Sequence, residues 1–185
     1  MLDSKPVSTP IAAGSRLTLH DESSSFDTTK FRQVFMHAPL ETHWGVVKRL
    51  LRYLNGTRDL GIRLLVDTPF TLHGFSDADW AGDPDDQCST GAFIIFLVAN
   101  PISWKSTKQR MIVRSSTKAE YHVIASAATE NQWIKSLLTD LLLPVTTTAV
   151  FFTDNLGTTY LSANLVLHSR MKHLAINYHF VCDLV

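Results

Sequence analysis

The sequence predicts a mixed α/β domain, a sheet flanked by helices, and two observations carry that expectation. Apolar residues in the middle of the chain fall in strand-length segments, and the segment after them switches to helical spacing. The resulting order is strand, strand, strand, long helix, strand and two further helices. Three strands in succession predict an antiparallel meander.

Each element has its own justification. Residues 1–34 are rich in Ser, Thr, Pro and Asp and show no sustained period, so they read as an irregular lead-in. A helix is expected from about Glu41 to Asn55, where Trp44, Val47, Leu51 and Leu54 recur at helical spacing and Asn55-Gly56 supplies the stop. A short strand, Gly61 to Val66, should follow; helix and strand together make a segment 35–66. The main domain is expected over 67–185.

Within it, Thr71–Asp79 reads as a strand ending in acids, and Gly91–Val98 as a central strand rich in Phe and Ile. Asn100-Pro101 is expected to turn the chain into a third strand around Ile102–Lys105. A long helix from about Lys118 to Leu142 carries Tyr121, Ile124, Ala125 and Ala128 in one stripe, and Ile134, Leu137, Leu138 and Leu141 in another. Pro144 ends it. Ala149–Thr153 is a fourth strand, Asn155–Ser162 a short helix, and Arg170–Val185 a last helix with Leu174, Tyr178 and Val181 on one side.

Composition narrows the function. The 185 residues are 45% hydrophobic, enough for one core, and the formal net charge is zero. Any grip on nucleic acid must therefore come from local charge. Cys88 and Cys182 fit neither a metal-ligand spacing nor a disulfide framework, and the eight histidines include no H-E-x-x-H pattern. No apolar run reaches the ~20 residues of a membrane span, and the N-terminus lacks a secretory pattern. An intracellular setting, cytoplasmic or nuclear, is expected.

Three carboxylates stand where chemistry favours them. Asp77 closes the first strand, Glu120 opens the long helix and Asp154 ends the fourth strand. If the first and fourth strands are neighbours, Asp77 and Asp154 lie side by side, and the first turn of the helix can bring Glu120 to them. Clustered acids either hold their protons or bind cations, and an all-oxygen site suits Mg²⁺. Simpler readings compete. Asp77 and Asp79 fit solvated turn acids, Thr117-Lys118-Ala119-Glu120 fits a capping box, and Asp154-Asn155 fits a helix N-cap. Asp77-Ala-Asp79 also matches the short D-x-D of aspartyl phosphatases and metal-dependent glycosyltransferases. Spacing alone leaves these open.

Between Asp86 and Glu120 there is no acid, while Lys105, Lys108, Arg110, Arg114 and Lys118 are basic. Such a stretch can hold a phosphate backbone, with Trp104 available for stacking; the alternative is a solvated hairpin surface.

A series of motifs resolves the choice. Phe75-Ser-Asp-Ala-Asp-Trp-Ala-Gly82, Ser89-Thr-Gly91, Ile102-Ser-Trp-Lys105, Lys108-Gln-Arg110, Arg114-Ser-Ser-Thr-Lys-Ala-Glu-Tyr121, Thr153-Asp-Asn155 and Lys172-His173 with Tyr178-His-Phe180 occur in order. The series resembles the ribonuclease H domain of plant copia-type retrotransposon Pol polyproteins, from about Phe35 to the C-terminus. Leu2–Lys5 and the Pro/Ser stretch after it are similar to the end of the reverse transcriptase region. The resemblance implies a ribonuclease H-like five-stranded mixed sheet flanked by helices, with residues 35–66 as a connection to the reverse transcriptase. It also implies Mg²⁺-dependent cleavage of RNA in RNA–DNA hybrids, with two ions in active relatives and one or none expected here. Asp77, Glu120 and Asp154 correspond to the catalytic acids; Asp79 does not.

Some positions depart from that pattern. A fourth acid is implied in the last helix, where this chain has Asn177, with Ala175 beside it. Lys118 stands where an acid is usual and Cys182 where arginine is usual. Phe31–His37 is expected to join two family segments directly, and the chain to stop before a final strand and helix. No polymerase palm is expected within it; a reverse transcriptase domain is the partner in intact relatives. The competing expectation is a folded remnant that binds hybrid or metal weakly and cuts nothing.

Overall fold

The computed structural model describes residues 5–14, 17–18, 40–66, 70–143, 145 and 147–163. Two compact units divide the chain, Met1–Ile62 and Arg63–Val185. The expected last helix, Asn177 and the Phe31–His37 junction all lie outside the described residues. Among those described, no helix is long and apolar enough to cross a membrane.

In the first unit, helix α1 spans Glu41–Thr57. Asn55-Gly56 does not stop it; the helix continues for one further residue. Its start is fixed by His43, whose Nδ1 accepts from the Leu40 backbone N–H at 3.3 Å while Nε2 lies 3.1 Å from the Thr18 carbonyl. The acceptor role of Nδ1 leaves Nε2 as the donor towards Thr18. Arg49 reaches Thr9, donating from Nη2 to its hydroxyl at 2.8 Å.

The second unit is built on a four-stranded sheet among the described residues. Its strands are β1 Leu72–Asp79, β2 Thr90–Leu97, β3 Asn100–Lys108 and β4 Val150–Phe152, in the order β3-β2-β1-β4. The meander is antiparallel, and β4 joins β1 in parallel. A parallel neighbour needs a crossover, and α2, Ser116–Asp140, supplies it. Helix α3, Leu156–Ala163, follows β4. The mixed α/β architecture with flanking helices is the predicted one.

One face of the sheet builds the core. Leu72, Gly74, Ser76 and Ala78 alternate inward along β1 with Phe93 and Ile95 of β2 beside them, and α2 covers them with Ala119, Val123, Ala127 and Ile134. Small residues let the helix approach closely. A Cβ on Gly91 would sit 2.4 Å from Val123 Cγ2, so only glycine fits under that turn of α2. The other face carries an aromatic row: Phe75 stacks on Phe152 at 5.1 Å between centroids, and His73 on Phe96 at 5.2 Å. Trp104, opposite Ile94, belongs to this face.

Three local expectations change. Residues 61–66 form no strand; the Leu65 backbone instead pairs with the Asn100 side chain, its N–H donating to Oδ1 at 2.7 Å and its carbonyl accepting from Nδ2 at 2.8 Å. An amide side chain thus takes the place of a neighbouring strand. Asn100-Pro101 opens β3 rather than turning the chain, because β3 is an edge strand and tolerates the missing N–H. The turn falls at Val98-Ala99, with Val98 at φ +58°. Finally, the capping box is not made. Ser115 is the N-cap of α2, and Glu120 turns to the sheet.

Candidate metal centre

The register of β1 and β4 brings two of the acids together. Phe75 pairs with Phe152; two residues further along each chain stand Asp77 and Asp154. Both are exposed at this end of the sheet. Glu120, in the second turn of α2, is only 4% exposed and completes the group. One carboxylate oxygen from each of Asp77, Glu120 and Asp154 lies within 4.8 Å of the others.

Glu120 has the most constrained environment. Its Oε1 accepts from the Ala78 backbone N–H at 3.1 Å, while Oε2 is buried with no hydrogen-bond partner. Burial pushes its pKa above the ordinary carboxylate value; the Ala78 hydrogen bond opposes this, and the charges of Asp77 and Asp154 add to the rise. Such a group either keeps a proton or faces a cation. Oxygens on opposite sides of a Mg²⁺ ion are about 4.2 Å apart, so a spread of 4.8 Å closes on an ion with small side-chain adjustments. The unpartnered Oε2 and the all-oxygen donor set fit a hard divalent cation.

The bland alternatives divide. Asn155, not Asp154, caps α3: its Oδ1 accepts from the Thr158 N–H at 3.1 Å. Asp154 is thereby left to the cluster. Asp79 stays outside the group and packs against Gly82, where any Cβ would collide with its carboxylate. Asp77-Ala-Asp79 therefore does not act as a pair.

The five basic residues also separate. Lys105 and Arg110 line a groove of about 510 Å³ between the β2–β3 edge and the flank of α2, with Thr107, Gln109, His122 and Ser126. Lys108 is committed elsewhere, its ammonium 2.5 Å from Asp83 and 2.7 Å from Asp86. Those two carboxylates hold the Lys108 pKa well above its usual value, and Lys108 holds theirs down. Arg114 is exposed and Lys118 half-buried, and neither lines the groove. Trp104 is 60% exposed on the opposite face from Lys105, so the two do not form one surface. Sequence reasoning missed Gln109, whose Nε2 donates to the Ala119 carbonyl at 2.9 Å beside Glu120. It also missed the Lys108 clamp, although the acids at 83 and 86 were visible as its signal.

Comparison with known proteins adds the lineage. The chain is 46% identical, over 98% of its length, to the retrovirus-related Pol polyprotein from transposon RE2 of Arabidopsis thaliana, and 45% identical over 98% to that from transposon RE1. The chain is homologous to a segment of copia-type retrotransposon Pol polyproteins. The Pol polyprotein from transposon TNT 1-94 of Nicotiana tabacum is 34% identical over 82% of the chain. This Pol-related chain spans 14% of the length of each Arabidopsis relative and 11% of the tobacco one. No family model matches it. No solved structure matches it either.

Proposed function

We propose that this chain is the ribonuclease H-type segment of a Pol polyprotein, built to cut the RNA strand of RNA–DNA hybrids. The observation that carries the reading is the meeting of Asp77, Glu120 and Asp154 at one end of the sheet, in a chain homologous to Pol. These three residues would hold Mg²⁺, which when bound supplies the charge and the activated water for phosphodiester hydrolysis. The chain's own contribution is positional. Ala78 fixes one oxygen of Glu120, and the β1–β4 register sets Asp77 against Asp154. Lys105 and Arg110 offer the groove to a phosphate backbone, with Arg114 and Lys118 nearer the start of α2.

Residues 35–66 are read as the connection to a reverse transcriptase domain and 67–185 as the ribonuclease H-like domain, with 1–34 as lead-in. Partners would be the hybrid and, in longer relatives, the reverse transcriptase; the setting would be intracellular. The second reading, a chain that folds and binds without cutting, is favoured by Asn177, which stands where the family resemblance implies a fourth acid. A gel assay with a labelled hybrid, Mg²⁺ and the purified chain decides between them. Cleavage that Asp77→Asn abolishes supports the enzyme. A folded, Mg²⁺-binding chain that leaves the hybrid intact supports the binder.

A further inference from the structure

Gln109 joins three segments around the acid cluster. Its backbone N–H donates to the Ser89 carbonyl at 2.8 Å, and the buried Ser89 hydroxyl accepts from the Ala81 N–H at 3.2 Å. The side chain crosses to the helix, where Nε2 donates to the Ala119 carbonyl at 2.9 Å. A Cβ on Gly91 would lie 3.4 Å from that Nε2, so the carboxamide is packed between β2 and α2. Ala119 immediately precedes Glu120, whose Oε1 takes the Ala78 N–H. The loop after β1, the end of β3 and the start of α2 are thus tied through one residue.

The same carboxamide has a buried Oε1 with no partner. An unpaired buried acceptor is a cost to folding, and it offsets part of what the bond to Ala119 contributes to stability. What an apolar side chain cannot supply is the bond to the Ala119 carbonyl. We propose that Gln109 is a positioning residue for the acid cluster, holding the start of α2 so that Glu120 reaches Ala78 and faces Asp77 and Asp154. The inference rests on the metal-centre reading for its consequence, and on geometry alone for its first test.

That test is amide exchange by NMR on the metal-free full chain, for wild type, Gln109→Met and the isosteric Gln109→Glu. The Ala78 amide is expected to exchange about tenfold faster in both variants, with the β1–β2 ladder amides unchanged and the Tm of Gln109→Met lowered by no more than a few degrees. Mn²⁺ titration by calorimetry is the second readout, expected to show about tenfold weaker binding in Gln109→Met, the variant that adds no charge. Ala78 exchange within about twofold of wild type in a folded Gln109→Met chain overturns the proposal. So does a loss of Tm with exchange accelerated throughout the unit, which would make Gln109 a packing residue. A wild-type chain that binds no Mn²⁺ defeats the metal-centre reading instead, and leaves the exchange result to judge Gln109.

Discussion

The backbone N–H of Ala78 donates to Glu120 Oε1 across 42 positions of chain, at 3.1 Å. Ala78 lies beyond the last β1–β4 pair, so this amide faces no strand on the β4 side, and a carboxylate from the helix satisfies it. The bond fixes one oxygen of Glu120 and leaves the other buried without a partner, in a residue that shares its cluster with Asp77 and Asp154. Both the chemistry and the electrostatic cost of the site follow from that division.

Glu120 should make the metal-free chain less stable as pH rises. Its folded-state pKa lies above the ordinary value of 4.5, mainly through burial. The folded chain therefore holds the proton more tightly than the unfolded one, and that stabilisation is complete below the ordinary value. It is lost as pH rises through the raised value. Glu120→Gln keeps an oxygen for Ala78 and removes the titration. Thermal melts from pH 4 to 8 should show a shallower decline and a Tm higher by a few degrees at neutral pH. Mn²⁺ should raise the wild-type Tm and leave that of the variant unchanged; equal melts at every pH would contradict this account.

His122 should act in the opposite direction. Burial lowers its pKa, so the folded chain disfavours the protonated ring. The stability this gives is present above the ordinary value of 6.5 and is lost as pH falls through the depressed one. His122→Gln should reduce the loss of Tm between pH 6.5 and 5. An unaltered acid limb would place the titrating group elsewhere.

Asn177 is the position on which activity is expected to turn. Hydrolysis through two Mg²⁺ ions sets four positive charges against three acids. Asn177→Asp should therefore increase hybrid cleavage at least about tenfold, the gain from roughly 1.4 kcal/mol of transition-state stabilisation. Single-turnover rates with saturating enzyme measure it. Robust cleavage by the unaltered chain would show that the fourth acid is not needed.

Binding of hybrid should weaken as salt rises, with Lys105 and Arg110 contributing more than Lys108. Lys105→Gln and Arg110→Gln should each reduce the slope of log affinity against log salt by about 1. Lys108→Gln should leave the slope nearly unchanged and lower the Tm, because its ammonium already serves Asp83 and Asp86. Fluorescence anisotropy over a salt series reads all three. A larger slope change for Lys108 than for Arg110 would reverse the assignment.

The β2–β3 turn offers a stability test away from the site. Val98 adopts a left-handed backbone at φ +58°, which costs a β-branched residue about 1–2 kcal/mol. Val98→Gly should raise the urea midpoint by part of that amount without changing Mn²⁺ affinity. A lower midpoint would mean that the valine side chain contributes more by packing than the turn loses by strain.

Much of this arrangement was legible before the structure. The strand-length run of Phe and Ile at 93–97 and the long apolar helix fixed the meander and the crossover, since their periods differ and admit few packings. Asp77 and Asp154 could be paired because each stands at the end of a strand. What the sequence did not show is tertiary. Nothing local reveals that Glu120 forgoes a capping box for the Ala78 amide, or that Asn100 substitutes for a strand beside Leu65. The basic stretch read as one surface, yet alternation along β3 sends Trp104 and Lys105 to opposite faces. Lys108 finds Asp83 and Asp86 across β2, a neighbour relation that the linear order hides.

Strand β4 has only three residues, and it enters the sheet after a helix of 25. Closing so long a loop for so few ladder bonds is slow, and the meander owes β4 little of its own integrity. Asp154 therefore arrives last. During synthesis the chain can hold Asp77 and Glu120 folded while the cluster is still short of its third ligand. A metal centre assembled in that order stays one ligand short until the strand that leads to Asp154 has joined the sheet.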